Sequence, residues 1–329
     1  MGFFYSQLVQ TLPYPSGSWA GKTVIITGSN VGLGKEAARH FVRLGVGRLI
    51  LAVRSIDKGE AAKADIQAGA SDGAADQKSV VEVWKLDMAS YASVQAFAAR
   101  VDRDLDRVDV VLANAGIAPT AYAVAEDNEQ TITVNVVSTF LLAALVMPKL
   151  KASAAEHGTR PTLTFVSSAV HAFTSFAERS APRGRILETV GDRALAEKRW
   201  AEQYPISKLL GVFGARALAE RRPASVTPPV TVNLVHPGMC HSELARDSQS
   251  WGFWLWRQAL SRSTEYGSRT LVHAASQGAD SHGQYLADCA VAAPAPLVTS
   301  PEGREAQERV WEEIVAKLEA IQPGVTDNF

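Results

Sequence analysis

Tyr204 and Lys208 are spaced to act together on a proton. Residues four apart share one face of a helix, so the ammonium lies beside the phenol. A free phenol ionises at about pH 10, too high for efficient transfer at neutral pH, and a neighbouring cation lowers that value. Taken alone, a Tyr-x-x-x-Lys is more simply a half-buried tyrosine beside a surface lysine. The second chemical signal is Thr27-Gly28-Ser29-Asn30-Val31-Gly32-Leu33-Gly34. Gly28 allows a sharp turn, Gly32 lets backbone approach a pyrophosphate, and Gly34 lets helix and sheet pack closely. Surface turns use glycine too. The apolar run 23–26 before it and the helical composition of 35–44 after it make a dinucleotide site the better reading.

Selection between dinucleotides falls to the end of the next apolar run, Leu49-Ile50-Leu51-Ala52-Val53-Arg54-Ser55. A carboxylate there would hold a ribose 2′-hydroxyl, whereas an arginine suits a 2′-phosphate. No acid follows until Asp57. Arg54 can take a phosphate bidentately, with the Ser55 hydroxyl beside it and Lys35 near in sequence. A single arginine at a strand end is ordinarily a solvated residue. It is the missing carboxylate that points to NADP(H).

These residues need a scaffold in which strands and helices alternate, as a doubly wound parallel sheet requires. Strands are predicted at 23–27, 48–53, 80–85, 108–113, 162–167, 229–235 and 284–287. Helices are predicted at 33–44, 57–68, 90–103, 127–150, 202–221, 264–276 and 302–321. Pro205 lacks an N–H and fits only near a helix start, which places that start close to residues 200–203. The expected fold is α/β, a Rossmann-type doubly wound parallel sheet of about seven strands with helices on both faces. Residues 1–20 read as an extended arm lying on a single domain of 21–329. The Gly-rich 17–23 stretch precedes the strand and is one residue short between its glycines, so it is no Walker A loop.

The Gly-x-x-x-Gly-x-Gly spacing after Thr27 resembles the short-chain dehydrogenase/reductase family. Further motifs follow in that family's order over roughly residues 20–245: Ala113-Asn114-Ala115-Gly116, Asn135, Val166-Ser167-Ser168, Tyr204-Pro205-Ile206-Ser207-Lys208 and His236-Pro237-Gly238. The resemblance implies a catalytic tetrad of Asn135, Ser168, Tyr204 and Lys208. Ser168 would hydrogen-bond the substrate carbonyl, Asn135 would hold a water linking Lys208 to solvent, and Lys208 would also bond the nicotinamide ribose. Cofactor contacts are implied for Gly28, Ser29, Asn30, Gly32, Leu33, Gly34, Asp87, Asn114, Ala115, Gly116, Pro237, Gly238 and Ser242. Bland alternatives stand beside three of these. Ser167, on the opposite strand face, is the alternative to Ser168. Asn135 is otherwise a helix amide bonded to backbone, and Asp87 a cap for a helix starting near Ser90.

Ser168 and Tyr204 lie much farther apart than in most compact members of that family. The insertion, 169–203, carries His171, Phe173, Phe176 and Trp200. With the C-terminal Asp288-Cys289 and Trp311, it resembles the retinol dehydrogenase-like branch and fungal secondary-metabolism reductases, which act on lipophilic carbonyls or alcohols. A second variable segment, 240–262, contains Trp251, Trp254 and Trp256, more indole than a solvent loop needs. Phe173, Phe176 and these three tryptophans are the expected substrate-pocket walls. A core helix, a homodimer contact or a membrane-surface patch are the other readings of the tryptophans.

Composition narrows the partners. A net charge of −1 argues against nucleic acid, and 47 % hydrophobic residues suffice for a large core. Only Cys240 and Cys289 occur, which implies no disulfide framework and a reducing, cytoplasmic setting. Residues 1–18 have neither a basic start nor a long apolar core, so no signal peptide or transmembrane segment is expected. His236, Cys240 and His241 belong to a turn and are not expected to hold a metal. The reading is an NADP(H)-dependent reductase of a lipophilic ketone or aldehyde. The alternative is a cofactor-binding protein without redox turnover, a sensor, scaffold or non-redox isomerase. Intact Asn135, Ser168, Tyr204 and Lys208 favour the enzyme.

Overall fold

Short apolar runs rich in β-branched residues become strands covered on both faces, and Thr23–Thr27 (β1) is buried along its whole length. The structure, a computed structural model, describes residues 3–69, 79–241 and 261–329. After β1 come Arg48–Val53 (β2), Val80–Lys85 (β3), Val110–Ala113 (β4), the hairpin Val124–Ala125 (β5) and Asn128–Glu129 (β6), then Thr162–Val166 (β7), Thr231–His236 (β8), Tyr285–Ala287 (β9) and Ala290–Ala292 (β10). Eight of these form one sheet in the order β10-β9-β8-β7-β4-β1-β2-β3. It is parallel except between β9 and β10. All seven expected strands are present. The eighth, β10, follows a tight turn in which Asp288 and Cys289 both take positive φ, 52° and 59°.

The helices are Phe3–Leu8 (α1), Gly32–Arg43 (α2), Ile56–Ala68 (α3), Tyr91–Asp104 (α4), Gln130–Ile132 (α5), Ser138–His157 (α6), Ile186–Gly191 (α7), Arg193–Lys198 (α8), Trp200–Arg221 (α9), Thr264–Ser276 (α10), Pro296–Thr299 (α11) and Pro301–Ile321 (α12). Period-two burial along the strands separates two cores. Ile25, Ile50 and Val111 join the core under α4, α6, α9 and α12, and Val24, Ile26, Leu49 and Leu51 join that under α2 and α10. The stretch Gln130–His157 is apolar enough to cross a membrane, with mean hydropathy 1.8, but 89 % of its most apolar window is buried inside the molecule. It is the central core element.

Two expectations need correction. The arm is not extended throughout, because Phe3–Leu8 are helical. The Leu12 N–H then donates to the Tyr266 hydroxyl at 2.6 Å, and Trp19 meets Phe41 edge-on at 4.7 Å. The single helix expected at 127–150 is instead α5, a π-helical turn at Thr133–Val137, and α6, which runs on to His157. Gly158, at φ +60°, closes it.

The 169–203 insertion folds as two 3₁₀ turns, Ala169–Ala172 and Ala177–Ser180, followed by α7 and α8. One of its holds on the domain is Glu313 of α12, a buried carboxylate that accepts the N–H of Ile186 at 2.9 Å and of Leu187 at 2.7 Å. Those are first-turn donors of α7 that nothing inside the helix can satisfy. Glu313→Ala strands both, and a loss of about 1–3 kcal/mol is expected in urea unfolding. An unchanged midpoint would refute this capping role.

Candidate active site

The chain leaves β1 toward β2 and β3 on one side and returns to β4 on the other, so a crevice opens at the carboxyl ends of β1 and β4. Thr27 and Asn114 brace it. The Thr27 hydroxyl accepts the N–H of Asn114 at 3.0 Å and of Ala115 at 2.8 Å. The Asn114 amide donates to the carbonyls of Thr27, 2.8 Å, and Gly28, 3.2 Å. Asn114 is thus a strut of the crevice, and Thr27 is a structural acceptor that sequence reasoning treated only as a marker. Gly28 sits at φ +65°. A Cβ on Gly34 would lie 2.6 Å from the Asn114 amide nitrogen and 2.8 Å from the Gly28 carbonyl, so only glycine fits.

Helix α2 begins here without a side-chain cap and without an acidic residue in its first turn. Its leading N–H groups and positive dipole end therefore remain available to an anion. Asn30 and Leu33 lie half-buried at the mouth. The Ser29 side chain is fully buried and donates its hydroxyl to the Ile26 carbonyl at 2.9 Å.

At the end of β2, Arg54 is exposed, and its backbone carbonyl accepts the Lys85 ammonium at 2.6 Å. Ser55 caps α3, accepting the Lys58 N–H at 3.4 Å. Lys35 is committed elsewhere, being 2.7 Å from Asp65, which Arg39 also meets at 2.6 Å. The two cations hold the Asp65 carboxyl at about 2. Asp87 is not the cap of α4. Ser90 is, while the Asp87 carboxylate accepts the Ala89 N–H at 3.0 Å in the turn before it.

The proton-handling groups converge on the carboxyl end of β7. Tyr204 and Lys208 lie one turn apart on α9, with the ammonium 5.7 Å from the phenol ring centre. Ser168 hydrogen-bonds the Tyr204 side chain and favours its ionised form, but burial outweighs this and raises the phenol above its ordinary value. Burial pulls Lys208 down to about 8. The Lys208 ammonium donates to the Val166 carbonyl at 2.9 Å. A Cβ on Gly116 would sit 3.2 Å from the Asn135 side-chain oxygen and 3.6 Å from the Lys208 ammonium nitrogen, so both groups face that glycine.

Asn135 rides on the π-helical turn. Its side-chain oxygen accepts the Ile117 N–H at 2.9 Å, and its nitrogen donates to the Ile117 carbonyl at 2.9 Å and the Ser207 hydroxyl at 3.0 Å. The amide is therefore bonded to backbone, as the bland alternative held, while standing beside Lys208. Behind the lysine, Asn135, Thr139, Ser167, Ser207 and Lys208 help line a cavity of about 20 Å³. The Ser167 hydroxyl is buried without a protein partner.

Other expected residues scatter. Pro237 and Gly238, at φ +83°, form the turn after β8, and the Gly238 N–H donates to His236 Nδ1 at 3.0 Å. Buried Arg262 steadies that turn by donating to the Pro237 carbonyl at 3.4 Å and pairing with Asp288 at 2.7 Å. Nothing local in the sequence marks Arg262 for this. Phe173 is 69 % exposed, five positions beyond Ser168. Phe176, expected as a pocket wall, is 0 % exposed and packs 6.0 Å from Phe213, so it is a core residue. Ser242, Trp251, Trp254 and Trp256 lie outside the described residues.

A family model described as short chain dehydrogenase matches residues 22–170. The short chain dehydrogenase/reductase dmxR8 of Cryptosporiopsis sp. (strain 8999) is 64 % identical over 329 residues, covering 100 % of both chains. Among solved structures, the Pseudomonas aeruginosa RhlG/NADP active-site complex matches with TM-score 0.60 at 19 % identity, covering 82 % of this chain and 95 % of that one. The 3-ketoacyl-(acyl-carrier-protein) reductase from Brucella melitensis, complexed with NADH, matches with TM-score 0.58 at 20 % identity, covering 82 % and 97 %. At such identities these two likenesses speak to the fold, whereas the dmxR8 match spans the whole sequence. The chain belongs to the short-chain dehydrogenase/reductase family of oxidoreductases.

Proposed function

We propose that this oxidoreductase uses NADP(H) to reduce a ketone or aldehyde of a lipophilic small molecule to the alcohol, reversibly. The observation that carries the reading is the meeting of Ser168, Tyr204 and Lys208 at the end of β7. The crevice suits the dinucleotide, because the uncapped start of α2 offers N–H groups to a pyrophosphate where no carboxylate competes. The bound dinucleotide supplies the hydride. The Ser168 and Tyr204 hydroxyls hold the carbonyl oxygen, and Tyr204 gives it a proton. Burial keeps the phenol protonated and makes it a weaker acid than a free tyrosine, so the proton transfer depends on the Lys208 cation beside it. Lys208 stabilises the phenolate left behind, and the cavity behind it has room for one water to pass a proton inward. Asn135 acts by shaping that cavity. Exposed Phe173, at the far end of the 3₁₀ turn that Ser168 opens, supports an apolar substrate.

Tyr204→Phe is expected to lower carbonyl reduction by about 10²–10⁴-fold while leaving NADPH affinity nearly unchanged. The assay is loss of NADPH absorbance against a panel of apolar ketones, beside NADPH binding by fluorescence. Binding without turnover of any ketone would favour a non-redox cofactor protein. Robust turnover by the phenylalanine variant would require a different acid.

Of the two solved structures above, one holds NADP and the other NADH, so the selection rests with this chain's own residues. Arg54 is an exposed guanidinium with no acid beside it before Asp57. Arg54→Ala should weaken NADPH by about 1.5–3 kcal/mol and NADH far less. Equal losses for both would remove Arg54 from the selection.

The pH dependence follows from Lys208. Its proton leaves near pH 8 in the fold, below the ordinary lysine value. Under that point the cation is present, and above it the support for the phenolate is lost. Reduction kcat/KM is therefore expected to fall as pH rises through about 8, with Lys208→Ala flattening that limb. A wild-type profile that rises through this range would contradict the assignment.

A further inference from the structure

His171 stands outside every role assigned so far, yet both of its ring nitrogens are engaged. It lies in the 3₁₀ turn that Ser168 opens, and it is 4 % exposed. Its Nδ1 is 2.6 Å from the Ser168 carbonyl oxygen, and its Nε2 is 2.9 Å from the backbone nitrogen of Ala295. A backbone N–H can only donate, so Nε2 must present a lone pair. The ring proton is then on Nδ1, donated to Ser168. With both nitrogens used and buried, the imidazole has no free site for a substrate proton. It is not an acid or base for the reaction.

We propose that His171 is a positioning residue that fixes the Ser168 backbone, and through it the hydroxyl that meets the carbonyl oxygen. The proposal rests on the reductase reading above. The Ser168 carbonyl receives two donors from the same residue, the His171 backbone N–H at 3.2 Å and the shorter ring N–H. The ring itself cannot swing. Its far nitrogen is tethered to the segment leading into α11, and its face lies 5.1 Å from Tyr285, which stacks on His236 at 6.1 Å. His236 in turn receives the Gly238 N–H. One aromatic wedge thus braces the serine turn and the Pro237–Gly238 turn together, so a shift at His171 is passed to Ser168.

Three substitutions separate this role from simple packing. An asparagine amide reaches about as far as Nδ1 and can still donate to the Ser168 carbonyl. A glutamine amide reaches about as far as Nε2 and can still accept from Ala295. The expected result is that His171→Asn keeps kcat within a few-fold of wild type. His171→Gln and His171→Ala should lose on the order of 10²-fold in kcat, the scale of a misplaced reacting group, with NADPH KM unchanged. Thermal unfolding is recorded for all three, since loss of either bond lowers stability. Activity that instead tracks stability, with Asn and Gln falling alike, or a fully active alanine variant, would overturn the proposal. Nitrogen-15 NMR of the wild-type histidines gives a readout that needs no turnover, and a His171 proton on Nε2 would overturn it equally. A wild type that binds NADPH but reduces nothing would sink the reductase reading, whereas an active wild type with an active glutamine variant would sink only the role of His171.

Discussion

A lysine ammonium drawn partly out of water is the constraint around which the rest of the site is arranged. Desolvation alone lowers Lys208 to about 8, and its recorded hydrogen bond is to one neutral carbonyl, Val166. Among the described residues no carboxylate offsets the charge. Such a cation is costly to keep in place unless its walls are fixed. The walls are the last residue of a central strand, a glycine with no side chain, and the Asn135 amide tied by two bonds to Ile117. A carboxylate here would neutralise the cation that the proposed phenolate needs.

The π-helical turn at Thr133–Val137 follows from the same requirement. A regular helix would bury each backbone group in its own ladder and sweep its side chains past the site at even spacing. The wider turn is of a kind that recurs at functional sites, and here it sets Asn135 against Ile117 and Ser207. Helix α5, which leads directly into the turn, is capped by Glu129, whose buried carboxylate accepts the N–H of Thr131 and Ile132 and the Gln203 amide at 3.0 Å. Gln203 immediately precedes Tyr204. The helix that carries the asparagine and the helix that carries the phenol are therefore locked at one point, one residue from the chemistry.

Legibility in the sequence tracked how local the cause of each feature was. Buried parallel strands show as apolar runs, so β1 and β2 fall where the sequence places them, and the half-buried edge strand β3 keeps enough β-branched residues to be read as well. β10 escaped because Ala290–Ala292 is short and its turn uses Asp288-Cys289 instead of a glycine signal. Asn135, Ser168, Tyr204 and Lys208 were found through ordered motifs, and the fold brings them to one place. Phe176 was misplaced for a general reason. An apolar residue in an insertion reads equally as pocket or core, and its left-handed backbone, φ 47°, is held by a ring packed on Phe213. Arg262 and His171 were opaque because their partners are far along the chain: Ser6 and Asp288 for one, Ala295 for the other. A tertiary hydrogen bond leaves no periodicity.

The insertion between Ser168 and Tyr204 raises a geometric problem for the proposed reaction, in which both hydroxyls would reach one carbonyl oxygen. Lengthening the connection adds only slowly to closure entropy, so a long insertion is tolerable, but entropy alone does not fix its ends. The ends are instead joined directly. The Thr174 hydroxyl donates to Glu202 at 2.7 Å, and Arg199 bridges Glu202 at 2.9 Å and buried Glu178 at 2.6 Å. Exposed ion pairs are worth little, but a half-buried fork shared between two carboxylates, one of them buried, is a stronger tie. With Phe176 in the core and α7 capped by Glu313, the segment departs from Ser168 and returns to α9 as a closed brace. The insertion can therefore vary on its outer face without moving Ser168 relative to Tyr204, and in the proposed reaction it would serve as a rigid platform beside the hydroxyl pair.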